Sequence, residues 1–185
     1  MIHPFDMMQD IERILVTEAE IHQRIQEVGA QLSREYAGKR PIFVGVLKGV
    51  VPFFAEMARA VQIPCQWDFM SVTSFEGGTH STGHLTFRKD IDHQIAGRHV
   101  VILEDILDSG STLKYIRELL LQRAPASLKI CTLLDKPSGR TVDLEADYAC
   151  FTIPAAFVVG YGLDYDDYYR NLPFVGVLKP SVYQD

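Results

Sequence analysis

The fold prediction starts from one stretch of the sequence, Val100-Val101-Ile102-Leu103-Glu104-Asp105-Ile106-Leu107-Asp108-Ser109-Gly110-Ser111-Thr112-Leu113. Residues 99–103 form a continuous apolar run, which is typical of a strand buried on both faces of a parallel sheet. The polar Asp-Ser-Gly-Ser-Thr turn leads into a helix that the apolar spacing predicts over residues 111–121. The stretch therefore predicts a strand, a turn and a helix joined as in an α/β protein.

The rest of the chain repeats this alternation. Thr17-Glu18-Ala19-Glu20 is a capping box, and the helix that it begins is predicted to stop at Gly38. Pro52 opens a second helix that reaches about Val61. Further strands are predicted at residues 42–46, 65–73, 85–88, 129–134, 149–153, 157–161 and 174–178. The pattern predicts one α/β domain with a mostly parallel, twisted sheet and helices on both faces.

Composition excludes several classes of protein. The 185 residues are 47% hydrophobic and 23% charged, which is ordinary for one globular domain. A net charge of −6 argues against a nucleic-acid or membrane partner. Residues 148–163 are uncharged, but Pro154, Gly160 and Gly162 interrupt them, so no membrane span is expected. Three single cysteines and no visible signal peptide lead us to expect a cytoplasmic protein with reduced thiols.

The acids of the first stretch point to a binding site. Ligands of open α/β sheets bind beyond the carboxyl ends of the strands, and a helix N-terminus suits a phosphate monoester. Three carboxylates, those of Glu104, Asp105 and Asp108, would repel that phosphate unless they serve ribose hydroxyls, a divalent cation or proton transfer. The alternative is structural, with Asp108 capping the helix and the other two acids merely solvated. The turn matches neither a P-loop nor a dinucleotide-binding fingerprint.

Four segments together resemble a known family. The first stretch is similar to the phosphoribosyl pyrophosphate signature of type I phosphoribosyltransferases, in which four apolar residues, two acids and two apolar residues precede Asp-Ser/Thr-Gly-x-Thr. The other three segments resemble the hypoxanthine-guanine branch of that family. They are Leu47-Lys48-Gly49, Leu134-Asp135-Lys136, and Phe157-Val158-Val159-Gly160-Tyr161-Gly162-Leu163-Asp164 with Arg170 six residues later.

The resemblance implies a fold and a reaction. It implies a small hood, built from the N-terminal segment and about residues 155–185, within a single domain of residues 1–185. It implies transfer of the phosphoribosyl group from phosphoribosyl pyrophosphate to hypoxanthine or guanine, which gives IMP or GMP and pyrophosphate. Mg²⁺ is the implied cofactor, and a homodimer or homotetramer is the implied assembly.

The resemblance also implies roles for the signature residues. Asp108 would be the catalytic base that accepts the N7 proton of the purine. Glu104 and Asp105 would order the ribose diol and its Mg²⁺. The turn would bind the 5′-phosphate through Ser109, Gly110, Ser111 and Thr112.

Two lysines are expected in the substrate site on the same grounds. The turn at Lys48 and Gly49 would hold pyrophosphate, with a cis peptide bond before Lys48. Lys136 would donate to the 6-oxo group of the purine. For both lysines the alternative is an ordinary solvated side chain at the end of a strand.

The C-terminal segment supplies the remaining expected contacts. Phe157 would stack on the purine, and Val158 would offer backbone groups to the edge of the base. Asp164 would help to hold Mg²⁺, and Arg170 would clamp pyrophosphate with its planar fork of donors. Phe157 has plain core packing as its alternative, and Asp166 and Asp167 are interpreted as a solvated turn.

Residues 74–88 resemble the mobile loop of the family. Ser74 and Phe75 stand where the family usually has Ser-Tyr, so a tyrosine hydroxyl is missing here. His80 and His84 have a spacing that binds zinc on a helix, but three nearby glycines make a helix and a zinc site improbable.

Rival functions remain open from the sequence. An RNA-binding regulator of similar fold would need a basic face and would lack the pocket formed by Lys136 and Phe157. A phosphate-binding flavodoxin-like module would have no reason to carry the paired acids or the Leu47-Lys48-Gly49 turn. Within the transferases, an enzyme for xanthine or a pyrimidine is the nearest competitor.

Overall fold

The computed structural model describes residues 6–74 and 85–184. Within these ranges the chain forms nine strands and four α-helices. The strands are β1 (Ile11–Val16), β2 (Ile42–Val46), β3 (Gln66–Ser74), β4 (Leu85–Lys89), β5 (His99–Leu107), β6 (Ser127–Asp135), β7 (Tyr148–Thr152), β8 (Val158–Val159) and β9 (Val175–Leu178). The helices are α1 (Glu18–Glu35), α2 (Val51–Ala60), α3 (Ser111–Leu121) and α4 (Pro180–Tyr183).

The larger sheet confirms the predicted α/β fold. Its six strands lie in the order β4-β3-β2-β5-β6-β7, and all neighbours are parallel except β4 against β3. Residues of β5 alternate between its two faces. Val101 and Leu103 pack in the core that α1 and α2 cover, whereas Val100 and Ile102 pack in the core that α3 covers. The continuous apolar run is therefore explained by burial on both faces.

A smaller antiparallel sheet joins the two ends of the chain. Its order is β1-β9-β8, with Val16 opposite Val175 and Val158 opposite Val177. Strand β1 was not predicted from the sequence. A strand was predicted over residues 157–161, but β8 has only two residues because the chain turns at Gly160, whose φ is +95°. The division into a single domain with a hood stays a prediction.

The helix termini test two of the predictions. The capping box is confirmed, since the Thr17 side chain accepts from the Glu20 amide and the Glu20 carboxylate accepts from the Thr17 amide. The alternative in which Asp108 caps α3 is wrong. The N-cap residue is Gly110, whose φ of +81° is a left-handed conformation and which makes no side-chain cap hydrogen bond. The Ser111 amide donates instead to Oγ of Ser109 at 3.5 Å.

Two glycines with positive φ provide a matched test of the turn after β8. A Cβ on Gly160 would lie 2.1 Å from the carbonyl oxygen of Phe174, whereas a Cβ on Gly38 would meet no atom within 4 Å. Both alanine variants would lose stability because alanine disfavours a left-handed backbone, but only Gly160→Ala would also force two backbone segments apart. We expect urea unfolding to show Gly160→Ala less stable than Gly38→Ala by about 1–3 kcal/mol. Equal losses of stability would contradict the close approach.

Candidate active site

The predicted site residues gather along the carboxyl edge of the larger sheet. Lys48 follows β2, Asp108 follows β5, and Lys136 follows β6, and these three strands are parallel neighbours. Strand β5 runs four residues further than the apolar run predicted, to Leu107. Glu104 therefore lies within the strand and pairs in register with Thr132 of β6. The sheet brings together side chains that lie far apart in the sequence.

Glu104 and Asp105 form a poorly solvated pair of acids. Burial and the neighbouring Asp105 carboxylate raise the pKa of Glu104 well above its usual range. Burial also raises the pKa of Asp105, although the backbone amide of Ile106 donates to its carboxylate at 2.8 Å. A cation or hydroxyl donors placed between these side chains would relieve their repulsion.

Gly49 lies directly against one of these acids. A Cβ at this position would lie 1.7 Å from Oδ2 of Asp105, so only glycine fits without movement. On its other side the turn meets the segment that follows β8, because a Cβ on Gly162 would lie 1.9 Å from the carbonyl oxygen of Gly49. The peptide bond between Leu47 and Lys48 is cis, as the resemblance implied. Three segments of the site thus meet at Gly49.

Asp108 and Lys136 form an ion pair at this edge. Lys136 Nζ donates to Oδ2 of Asp108 at 2.7 Å and to the carbonyl oxygen of Ala156 at 3.3 Å. The second contact lies one residue before Phe157, so Lys136 links β6 to the start of the C-terminal segment. Gly139 lies directly against the pair, since a Cβ there would lie 1.6 Å from Oδ1 of Asp108. The aspartate is partly exposed and the lysine is largely covered.

Arg140 holds the loop that carries Asp108, and the sequence analysis missed it. Its guanidinium donates to the carbonyl oxygens of Asp108 at 2.9 Å and Leu107 at 3.1 Å. It also pairs with the Asp135 carboxylate and donates to the carbonyl oxygen of Leu144. A single arginine after a turn carries no sequence signal for this role, because its partners are mostly backbone carbonyls.

The predicted phosphate-binding turn borders a cavity of about 270 Å³. Its lining includes Glu104, Asp105 and Asp108 together with Ser109, Gly110 and Thr112. Ser111 lies at the first position of α3, and its hydroxyl is 3.3 Å from that of Thr141. The cavity is therefore lined both by acids and by residues at the N-terminus of α3. The arrangement suits a ligand that presents a phosphate to α3 and hydroxyls or a cation to the acids.

Lys48 and Arg170 converge from separate segments on one acidic turn. Arg170 Nη2 lies 2.8 Å from Oδ1 of Asp164 and 3.0 Å from Oδ1 of Asp167. Lys48 Nζ lies 2.8 Å from Oδ2 of Asp167. Hydrogen bonds from Lys48 and Arg170 lower the pKa of Asp167. Asp166 and Asp167 lie in an exposed turn, as interpreted from the sequence. The contacts of Asp167 were not predicted, because both predicted pyrophosphate-binding cations contact its carboxylate.

Phe157 lies among aromatic side chains and keeps 38% of its surface exposed. Tyr183 of α4 stacks on its ring with the centroids 4.7 Å apart, and Tyr165 meets it edge-on at 5.8 Å. Val158 is buried in β8, where it pairs with Val177 of β9. The ring is thus packed by the C-terminal segment, and its exposed part remains open to a ligand.

Part of the predicted loop lies outside the described residues. Residues 75–84 include Phe75, His80 and His84, so the expected place of Phe75 in the loop, and the expectation that the two histidines bind no zinc, stay predictions. The backbone of Ser74 ends β3, where it pairs with Leu85 of β4.

The comparison with known proteins gives the family. The family model described as "Phosphoribosyl transferase domain" matches residues 15–166. The chain belongs to the phosphoribosyl transferase family. The hypoxanthine-guanine phosphoribosyltransferase of Streptococcus pneumoniae strain R6 is 53% identical over 176 residues, which cover 95% of this chain and 98% of the relative. The enzyme of the same name from Streptococcus mutans is 51% identical over 175 residues, which cover 95% and 97%.

Solved structures of phosphoribosyltransferases share the fold. A hypoxanthine phosphoribosyltransferase from Staphylococcus aureus is similar with a TM-score of 0.93 and 47% identity, over 97% of each chain. A variant of the Trypanosoma cruzi hypoxanthine phosphoribosyltransferase, solved as a ternary substrates complex, has a TM-score of 0.90 and 43% identity. That similarity covers 95% of this chain and 99% of the other.

The Mg²⁺ that the resemblance implies can be tested against the donors of this phosphoribosyltransferase. In the described ranges, no three His, Cys, Asp or Glu side chains form a group able to hold a metal ion. Glu104 and Asp105 alone offer adjacent carboxylates with raised pKa values, and Mg²⁺ is usually bound by one or two carboxylates together with substrate phosphates. The donors therefore fit an Mg²⁺ that arrives with a phosphorylated substrate. Asp164, which Arg170 already contacts, stays a prediction as a ligand.

The contact between Gly139 and Asp108 predicts a variant that separates activity from stability. Gly139→Ala would place its Cβ on the Asp108 carboxylate, which can turn away because it ends a short side chain. We expect the ion pair with Lys136 to be lost and kcat for nucleotide formation to fall on the order of tenfold. The melting temperature should change little.

Ser138→Ala is the matched control, because this exposed residue lies in the same turn. Its kcat should equal that of the unchanged protein. A Gly139→Ala protein with full activity would contradict the placement of Asp108 in the reaction.

Proposed function

We propose that this protein transfers the 5-phosphoribosyl group of phosphoribosyl pyrophosphate to hypoxanthine or guanine and forms IMP or GMP and pyrophosphate. The observation that carries the proposal is the Asp108–Lys136 pair, in which Lys136 also contacts the carbonyl oxygen of Ala156, the residue before Phe157. A carboxylate, an ammonium and an aromatic ring together match a 6-oxopurine. The names of the streptococcal relatives support the same substrates.

The pair accounts for one acceptor and one donor of the base, the 6-oxo oxygen and the N7–H group. Lys136 donates to the 6-oxo oxygen, and an ammonium has no lone pair with which to accept from the amine of adenine. Asp108 accepts the N7 proton while the glycosidic bond forms, a general-base role that contributes about 10²–10⁴-fold in other enzymes. Phe157 stacks on the ring, which is worth about 1–3 kcal/mol for a base on an aromatic side chain.

The two phosphate groups of the substrate are bound by different parts of the site. The 5′-phosphate lies on the turn from Ser109 to Thr112, at the amides that begin α3, whose N-cap residue Gly110 has no side chain. Lys48 and Arg170 bind the pyrophosphate, whose negative charge grows as the bond to the anomeric carbon breaks. Glu104 and Asp105 orient the ribose hydroxyls and hold Mg²⁺. The chemistry of the metal would be to neutralise the leaving group.

Location and assembly complete the proposal. Among the described residues, no helix is both long and apolar enough to cross a membrane. We propose a cytoplasmic location, which the three free cysteines support. A homodimer or homotetramer is proposed from the family resemblance, and analytical ultracentrifugation measures it.

Choice of base is the first test. Purified protein is incubated with phosphoribosyl pyrophosphate, Mg²⁺ and, separately, hypoxanthine, guanine, xanthine, adenine and uracil. We expect nucleotide from hypoxanthine and guanine and much slower turnover of adenine, because Lys136 cannot accept a hydrogen bond. Adenine turnover comparable to that of hypoxanthine, or uracil as the best substrate, would contradict the proposal. Absence of any turnover would favour an RNA-binding or phosphate-binding module.

The role of Asp108 is tested separately. Asp108→Asn keeps the size of the side chain but cannot take up a proton, so kcat for IMP formation should fall by at least about tenfold. Binding of IMP should change much less. The control is Asp143→Asn, an exposed acid beyond Arg140. An unchanged kcat for Asp108→Asn, measured where chemistry limits the rate, would exclude the general-base role.

A further inference from the structure

The carboxylate of Asp167 occupies the cation pair that the proposed function assigns to pyrophosphate. Lys48 Nζ donates to its two oxygens at 2.8 and 3.0 Å. Arg170 donates to Oδ1 from Nε at 3.1 Å and from Nη2 at 3.0 Å. An arginine fork and a lysine around one anionic group are the contacts by which proteins bind a phosphoryl group.

The backbone fixes where this carboxylate lies. Asp167 has a φ of +65°, and its neighbours Asp166 and Tyr169 also have positive φ, at +51° and +72°. Such angles are uncommon in residues other than glycine and persist where the surroundings hold them. Here the Asp167 amide donates to Oδ2 of Asp164 at 2.9 Å. The backbone of the turn therefore fixes the position of the Asp167 carboxylate.

The contacts of Asp167 with Lys48 and Arg170 contribute little to the stability of the fold. The side chains of Lys48 and Asp167 are 66% and 61% exposed, and ion pairs so open to water contribute little stability. Arg170 keeps another anchor in the carbonyl oxygen of Gly162, to which Nη1 donates at 2.7 Å. Loss of the Asp167 carboxylate should therefore leave the site folded.

Pyrophosphate and the Asp167 carboxylate cannot both take the same donors of Lys48 and Arg170. We propose that Asp167 is an internal competitor of pyrophosphate, which holds the two cations in place when the site is free and which the incoming anion displaces. This inference rests on the proposed function, because it needs Lys48 and Arg170 to bind pyrophosphate. Its consequence is weaker binding of pyrophosphate, and so easier release of the product.

The test is isothermal titration of Mg²⁺-pyrophosphate into three full-length proteins. They are the unchanged protein, Asp167→Asn and Asp166→Asn. The last is the matched control, because it removes the same charge from the adjacent residue of the same turn. In Asp167→Asn the pyrophosphate no longer has to displace a carboxylate from Lys48 and Arg170. From the usual strength of exposed ion pairs, we expect it to bind about two- to fivefold more tightly than to the unchanged protein. Asp166→Asn should bind as the unchanged protein does.

The outcomes separate this inference from the proposed function. Weaker or unchanged pyrophosphate binding by Asp167→Asn, in a protein that still makes IMP, would overturn the inference alone. Equal tightening in both variants would also overturn it, since net charge and not contact would be the cause. If the unchanged protein neither binds pyrophosphate nor forms nucleotide, the proposed function and this inference both fail.

Discussion

The parallel alignment of β2, β5 and β6 is the constraint on which the site depends. Parallel neighbours end at the same edge of a sheet, so Lys48, Asp108 and Lys136 converge although about ninety residues separate the first from the last. Buried apolar residues on both faces of β5 fix this alignment. Glycines then let the converging segments touch, since a Cβ on Gly49 or Gly139 would collide with the carboxylate of Asp105 or Asp108. The packing that aligns the strands of the sheet therefore also places the acids of the site.

Electrostatics explains how an acidic protein can serve an anionic substrate. The net charge is −6, yet the cations Lys48, Lys136 and Arg170 all contact carboxylates at the carboxyl edge of the sheet. Each cation is held in place by an acid in the structure, and each is assigned to an oxygen of the substrate in the proposed reaction. Preorganised charges of this kind need little rearrangement when the transition state develops. As a consequence of that preorganisation, Asp167 would compete with pyrophosphate and weaken its binding.

Much of the fold and the site was predictable from the sequence, for identifiable physical reasons. Burial on both faces made β5 a continuous apolar run, and the capping box marked the start of α1. Roles that depend on long-range contacts left no local pattern. Arg140 binds mainly backbone carbonyls, and Asp167 meets Lys48 across more than one hundred residues of sequence. Strand β1 was missed because its exposed and buried residues do not alternate strictly, and its pairing with β9 joins the two ends of the chain.

A crystal structure of the protein with IMP, pyrophosphate and Mg²⁺ tests directly whether the substrates bind at the carboxyl edge of the sheet. We predict the 5′-phosphate on the amides at the start of α3, and pyrophosphate between Lys48 and Arg170. The base should contact Lys136 and Asp108 and stack on Phe157. The Asp167 carboxylate should have left both cations. Nucleotide bound away from the carboxyl edge of the sheet would show that the site is placed wrongly. Pyrophosphate bound while Asp167 keeps its contacts would show that the two do not compete.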